Sequence, residues 1–296
     1  MAVDGAPEAG GPLILTLDCA DQPGITAKVT AFLFERGCDV LDAQQFSDRV
    51  SEAGNDRFFM RVVFAPGTID KESLRAQFAD FARDFSMRWK LALQDRRRRV
   101  LIMVGKADHC LVDLLYRWRT RELGIDPVAI VSNHPRDVAI RDDIGDIPFH
   151  HCPITPETKS QQEAQVRAIA DRVDAELIVL ARYMQVLSND QARHFAGRCI
   201  NIHHSFLPGF KGARPYHQAH ERGVKIIGAT AHFVTPDLDE GPIIHQDVER
   251  ITHADSPSDL VRKGRDIERR VLAEAVRLFA ADRVLLNGQR TVIFRG

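Results

Sequence analysis

No uninterrupted apolar run in this chain of 296 residues approaches the ~20 residues that a membrane-spanning helix needs. The opening stretch MAVDGAPEAGG has no basic segment followed by an apolar core, so no secretory leader is expected, and residues 1–11 read as a disordered lead-in. A surplus of one charge is also missing. Lys plus Arg is 40 and Asp plus Glu is 41, so no global field draws the protein onto nucleic acid or a membrane surface. The cysteines Cys19, Cys38, Cys110, Cys152 and Cys199 are odd in number and scattered, with no C-x-x-C pair. That pattern argues against a disulfide framework and a structural zinc site. Reduced, mostly buried thiols and a cytoplasmic location are expected.

What is present is an ordinary globular composition, 44% hydrophobic and 27% charged, over a length that suggests two domains. Residues 13–18, LILTLD, read as a strand. In DQPGITAKVTAFLFERG, Ile25, Val29, Phe32 and Leu33 share one helical face, Pro23 suits a first turn and Gly37 a left-handed C-terminal cap. Residues 39–47 and 57–64 read as strands joined by DRVSEAGND, which has turn chemistry. KESLRAQFADFARDF places Leu74, Phe78, Phe81 and Phe85 at helical spacing, and residues 88–94 form a last strand. The order βαββαβ over residues 12–95 is the ferredoxin-like pattern. Arg96 to Arg99 lack interleaved aromatics and read as a solvated basic linker rather than a nucleic-acid patch.

From residue 100 to 296 the rhythm changes. Near-continuous apolar strands at 100–105, 127–132, 176–181 and 198–204 alternate with helices at 111–120 and 157–173, and PFHHCPI reads as a short strand or loop. This predicts an open, mostly parallel α/β sheet buried on both faces. Residues 225–234 and 241–251 read as antiparallel strands, 256–281 as a long helix and RVLLNGQRTVIFR as a hairpin tail about Asn287-Gly288. Such sheets bind ligands at the carboxyl ends of their strands. Chemistry is therefore sought in the loops after Val104, Ser132, Ala181, His204 and Val234.

At one such end stands NIHHSFLPGFKGARPYHQA, residues 201–219. Strand alternation puts Asn201 and His203 on one face and turns His204 away, into a structural role. An amide donates to a developing oxyanion and an imidazole carries a proton near neutral pH. An isolated Asn-x-His on a strand is more often structural than catalytic, but here a Pro-Gly loop and an acidic loop lie at strand ends of the same sheet. His232 lies in the later strand, and Asp237, Asp239 and Glu240 follow it. Spacing does not choose among these three acids. His150-His151 and His217-x-x-His220 match no metal-binding spacing. Lys106 and His109, in the loop VGKADHCL, read either as residues that serve the site or, more simply, as surface loop residues.

NIHHSFLPGFKGARPYHQA, LARYMQVLS and GATAHFVTPDLDEGPIIHQ closely resemble segments of the formyltetrahydrofolate-dependent formyltransferase fold, and within it the 10-formyltetrahydrofolate deformylases. The stretch around DQPGI resembles an ACT domain, a small regulatory ferredoxin-like module, and an ACT domain ahead of a formyltransferase-like domain is the deformylase arrangement. The resemblance implies a Rossmann-like catalytic domain with Asn201, His203 and Asp239 as catalytic residues, Asp239 being the acid in DLDEG. It implies that Tyr183, Met184, Gln185, Val186 and Leu187 bind the pterin, that Thr235, Pro236, Asp237, Leu238 and Asp239 close over the same ring, and that His232 lies near the site.

The implied reaction is hydrolysis of 10-formyltetrahydrofolate to formate and tetrahydrofolate, which supplies formate for purine synthesis and balances one-carbon folate pools. No prosthetic group or metal is implied. The ACT resemblance implies a homo-oligomer and an effector such as glycine or methionine at Asp21, Pro23, Gly24 and Ile25. That turn alternatively serves as a helix cap with a dimerisation role. Two other readings compete. In one, a transferase passes the formyl group to an amine such as glycinamide ribonucleotide. Against it, VGKADHCL has a single Gly105, and Asp108 would repel a phosphate. Arg214, Tyr216 and His217 are candidates for the acceptor side. In the other, the protein is a catalytically dead amino-acid sensor, which the complete Asn201, His203 and Asp239 set argues against.

Overall fold

The computed structural model describes residues 11–49, 56–209 and 215–296. The expected lead-in, apart from Gly11, lies outside these residues, as do most of the turn DRVSEAGND and, in the GARP stretch, residues 212–214. The described chain forms two compact units. One holds the residues up to Arg96 with 281–285 and 292–296, and the other holds 97–280 with 286–291.

The first unit runs β1 (Leu13–Ala20), α1 (Ile25–Phe34), β2 (Asp39–Asp48), β3 (Arg57–Ala65), α2 (Lys71–Asp84), β4 (Arg88–Leu93), with an antiparallel sheet ordered β2-β3-β1-β4. Alternate residues of the central strands, Leu13, Leu15 and Leu17 with Phe58, Met60, Val62 and Phe64, meet Ile25, Val29, Leu74 and Phe78 from the helices. Phe78 packs edge-on against Phe32 and Trp89, at 5.3 and 5.0 Å. Asp70 caps α2 by accepting from Ser73 N–H at 2.9 Å. On the other face of β3, Phe59 is covered by Val292 and Phe294, and Arg61 donates to the Ala281 carbonyl. The expectation that 281–296 belongs wholly with the second domain is thereby corrected. A buried phenyl on the sheet's second face needs an apolar cover, and the closing residues supply it.

The second unit begins with β5 (Arg98–Val104), α3 (His109–Arg119), β6 (Ile125–Ser132), α4 (Arg136–Ala139), β7 (Phe149–His151), α5 (Lys159–Arg172) and β8 (Leu177–Ala181). It continues with α6 (Asn189–His194), β9 (Cys199–His203), α7 (Pro215–Glu221), β10 (Ile226–Phe233), β11 (Ile243–Arg250) and α8 (Pro257–Ala280). The hairpin β12 (Val284–Asn287), β13 (Arg290–Ile293) closes the chain. The seven-stranded sheet is ordered β11-β10-β9-β8-β5-β6-β7, parallel from β9 through β7 and antiparallel where β10 and β11 join. β5 and β8 are apolar almost throughout because both faces are covered. The chain winds outward from β5 in both directions, to β6 on one side and β8 on the other, which opens a crevice at the carboxyl ends.

The basic run divides: Arg96 and Arg97 are exposed, as a solvated linker would be, but Arg98 and Arg99 belong to β5. Arg98 starts β5 with its side chain 2% exposed and paired to Glu176 at 3.1 Å, and Arg99 N–H donates to the same carboxylate at 3.2 Å. A strand-edge charge tolerates burial when a carboxylate meets it. All five cysteines are buried and free.

Candidate active site

The antiparallel register of β9 and β10 sets Asn201 opposite His232 and His203 opposite Thr230. Directly opposed residues share a face of the sheet with their Cβ atoms within ~5.5 Å, so amide and imidazole meet across the strands. Asn201 Nδ2 lies 3.3 Å from His232 Nε2. His232 Nδ1 lies 2.8 Å from the Phe233 carbonyl, which cannot donate, so Nδ1 carries the proton. In the neutral ring Nε2 then accepts from Asn201, leaving the second amide N–H for a reacting molecule. Thr230, opposite His203, ties down the loop after β9. Its hydroxyl donates to the Ser205 carbonyl and accepts from Leu207 N–H and from Gln246 Nε2.

Of the three acids after β10, Asp239 is the one that reaches the pair. Its Oδ1 lies 3.3 Å from His203 Nδ1 and 3.7 Å from His232 Nε2. The hydrogen bond from His203, first among the causes, holds the Asp239 carboxyl well below the usual carboxylate range, against the opposing pull of partial burial. It is therefore an anion at neutral pH. His203 is 6% exposed, and its Nε2 is buried with no hydrogen-bond partner among the described residues.

These groups line a cavity of about 240 Å³ between the end of β8, the end of β9 and the loop after β10. Met184, Gln185, Val186 and Leu187 form one wall, and Thr235, Pro236, Asp237 and Leu238 another. Among the described residues seven non-glycine positions have positive φ, and three of them, Arg182, Met184 and Asp239, line this cavity. Such conformations cost roughly 1–3 kcal/mol each and concentrate where geometry serves function. Gly105, at the end of β5, donates its N–H to the Arg182 carbonyl at 3.1 Å. A Cβ there would stand 2.5 Å from the same oxygen, so only glycine admits the 182–183 backbone.

Three expectations are corrected. Tyr183 does not line the cavity. It is 2% exposed within the apolar core, Gln162 Nε2 donates to its hydroxyl at 2.8 Å, and burial pushes the phenol up to about 12. His204 does not turn away. β9 ends at His203, so strand alternation lapses, and the His204 ring lines the cavity stacked on His203 at 5.2 Å and 17°. His109 is no surface residue. It opens α3 and donates from Nε2 to Glu268 Oε2 at 2.8 Å.

That contact belongs to a buried polar group invisible to motif reading. Glu268, 1% exposed on α8, accepts from His109 and from the Tyr216 hydroxyl at 2.7 Å, and pairs with Arg182 Nε at 3.3 Å. Burial is the largest influence on the Glu268 carboxyl and pushes it up. His109, Arg182 and Tyr216 together outweigh burial and hold it below its usual value. His109, Cys110 and Glu268 also bring potential metal-ligand atoms within 4.8 Å of one another, but the Glu268 charge is already met by Arg182. Arg214 lies outside the described residues. His217 does not line the cavity.

In the first unit, Gly24 adopts φ 89° just ahead of α1, Ile25 is buried, and Asp21 accepts from Arg49 Nε at 3.1 Å. Thr26 bonds Gln45, tying the start of α1 to β2.

Comparison with known proteins bears on this geometry. Residues 98–276 match the Formyl transferase family, and residues 13–72 match the ACT domain. A formyltetrahydrofolate deformylase of Corynebacterium sp. (strain P-1) is 48% identical, over 95% of this chain and 98% of that one. The chain belongs to the formyltetrahydrofolate deformylase family. The crystal structure of the Burkholderia mallei ATCC 23344 deformylase is 50% identical, with TM-score 0.89 over 96% of this chain and 100% of that one. Glycinamide ribonucleotide transformylase 1 from Symbiobacterium toebii, at 28% identity and TM-score 0.60, covers 67% of this chain and 95% of its own. The deformylase family thus joins an ACT domain to the fold that such transformylases share.

Proposed function

We propose that this chain hydrolyses 10-formyltetrahydrofolate to formate and tetrahydrofolate. The observation that carries the reading is the meeting of Asn201, His203 and Asp239 in one cavity beside the 184–187 segment. Met184, Val186 and Leu238 are 63%, 55% and 60% exposed at its walls, apolar surface that a flat pterin ring covers. Whole ligands of drug size occupy pockets of about 300–1,000 Å³. The smaller space here takes the ring and formyl group and leaves the glutamate tail outside.

The chemistry follows from the hydrogen bonds. With Nδ1–H donating to Asp239, the neutral His203 ring has its free lone pair on Nε2. That atom takes a proton from water as the water oxygen bonds to the formyl carbon. The carbonyl electron pair moves onto oxygen, where Asn201 N–H and the new His203 Nε2–H stabilise it. The C–N10 bond then breaks, Nε2–H passes to N10, and the formic acid formed loses its proton to solvent. Asp239, a poor base while held so strongly anionic, steadies the imidazolium from its Nδ1 edge. Every step draws on side chains, water and substrate.

Water as acceptor is favoured by the first loop. Asp108 Oδ2 accepts from Arg141 N–H at 3.0 Å, so a carboxylate stands at the start of α3, where a phosphate-bearing amine would need free donors. The likeness to a transformylase sets the alternative, transfer to an amine. Incubation with 10-formyltetrahydrofolate, without and then with glycinamide ribonucleotide, distinguishes them. Formate release without acceptor is expected, and turnover only with the amine overturns the reading.

The proposal extends to the setting of the reaction. The formate released feeds purine synthesis, in the cytoplasm, where five free thiols persist. The Asp21–Ile25 turn takes an amino-acid effector such as glycine or methionine. β2 stands at a sheet edge with Val40, Leu41 and Phe46 exposed, which favours a homo-oligomer.

A further inference from the structure

Arg182, His204, Glu268, Tyr216 and His109 form a polar chain behind the reacting trio. Arg182 leaves the end of β8 in a left-handed conformation, and its NH1 lies 2.6 Å from His204 Nδ1. A guanidinium has only donors, so His204 Nδ1 must accept and the ring proton sits on Nε2. The His204 ring lies nearly parallel to His203, and Asp239 holds His203 by its edge. His203 is thus fixed in two directions, by a carboxylate on its edge and a ring on its face. Glu268 backs Arg182 at 3.3 Å, while His109 and Tyr216 saturate the carboxylate.

We propose that Arg182 is a positioning residue for hydrolysis: backed by Glu268, it pins His204 as a neutral ring whose stacked face sets the plane and the charge environment of His203. The inference rests on the hydrolytic reading above. The groups that face His204 are Arg182 after β8, His203 on β9, Tyr216 on α7, Asp239 after β10 and Glu268 on α8, with His109 of α3 behind Glu268. Burial first, then Arg182 and His203, lowers His204 to about 4, which outweighs the opposite pull of Glu268 and Asp239. At working pH the imidazolium that forms on His203 therefore stacks on an uncharged neighbour. Without the guanidinium, burial still disfavours the charged ring, but a second proton reaches His204 Nδ1 at higher pH than in the wild type, and the resulting cation opposes charge on His203.

The test compares pH profiles of kcat. In Arg182→Gln, the acid limb of the kcat profile, about tenfold per pH unit, moves to higher pH than in the wild type. In Arg182→Gln/His204→Gln, with no His204 ring to titrate, that displacement disappears even though both variants lose rate at pH 8. A loss equal at every pH, or the same acid limb in both variants, overturns the proposal. Histidine ¹⁵N NMR of the wild type reads the tautomer without turnover or variants. His204 Nδ1 is expected to keep the signature of an unprotonated nitrogen down to about pH 5.5, and a doubly protonated ring there contradicts the proposal. Wild-type protein that releases no formate while His204 stays neutral would sink the hydrolytic reading and leave the Arg182–His204 contact standing.

Discussion

In the proposed hydrolysis Asn201 donates to the oxyanion and Asp239 steadies the His203 imidazolium, and loss of either lowers kcat. Asn201→Ala removes one oxyanion donor and is expected to lower kcat by about 10²–10³, with KM little changed. Asp239→Asn keeps the size and loses the charge that steadies the His203 imidazolium, so kcat falls on a similar scale. Steady-state formate release by folded variants checks both. The two histidine partners also differ in pH window. The folded-state value of His204 lies at about 4, below 6.5, so its contribution to stability is full above about 6.5 and is lost as pH falls from there toward 4. Thermal unfolding should show the gap between wild type and His204→Gln narrowing from pH 7 to pH 5. Asp239 is also depressed, but its contribution persists above its ordinary value of 3.8 and is lost only on further acidification. The gap for Asp239→Asn should therefore stay level between pH 7 and pH 5. A gap for His204→Gln that does not move would mean its ring charges freely in the folded protein.

At the scale of elements, two glycines hold the site open. Gly105 lets β5 lie against the Arg182 and Tyr183 carbonyls, and Gly264 of α8 admits the Tyr216 ring, which a Cβ there would overlap. Gly105→Ala meets backbone that cannot swing aside, so urea unfolding should show a loss of about 1–3 kcal/mol together with a raised KM from the displaced 182–187 wall. Strands and long helices were legible because their apolar periods are unambiguous. α4 and α6 were not, since four and six residues are too short to show a period. His204 was misplaced because alternation was carried one residue past the end of β9. Tyr183 was misplaced because a motif does not tell which members of a segment face the ligand. Arg98 looked solvated because the sequence does not reveal the distant Glu176. Glu268 was available to closer reading. It stands four residues after Gly264 on the buried stripe of α8, between Leu260 and Val271. A charge on an apolar helical face calls for a partner, and Arg182, the first residue after the apolar β8, was a candidate at a strand end already marked for chemistry.

For the whole molecule, the proposed catalytic and effector sites fall in different units. The residues proposed for catalysis all lie in the second unit, while the first carries the ACT match and the Asp21–Ile25 turn. Glycine or methionine is therefore expected to change the rate of formate release in the native protein and to have no effect once Gly24→Val blocks the left-handed turn. An unchanged response in that variant would place the effector elsewhere. The near-equal counts of acidic and basic residues give the folate no long-range pull, so binding rests on the local surface of the cavity. The central claim is that water, activated by His203, is the acceptor of the formyl group. A single turnover in ¹⁸O-labelled water tests it most directly. The account predicts formate carrying one solvent oxygen, formed in step with tetrahydrofolate and without any amine. Label found in the Asp239 carboxylate, or formate absent until an amine is added, would contradict it.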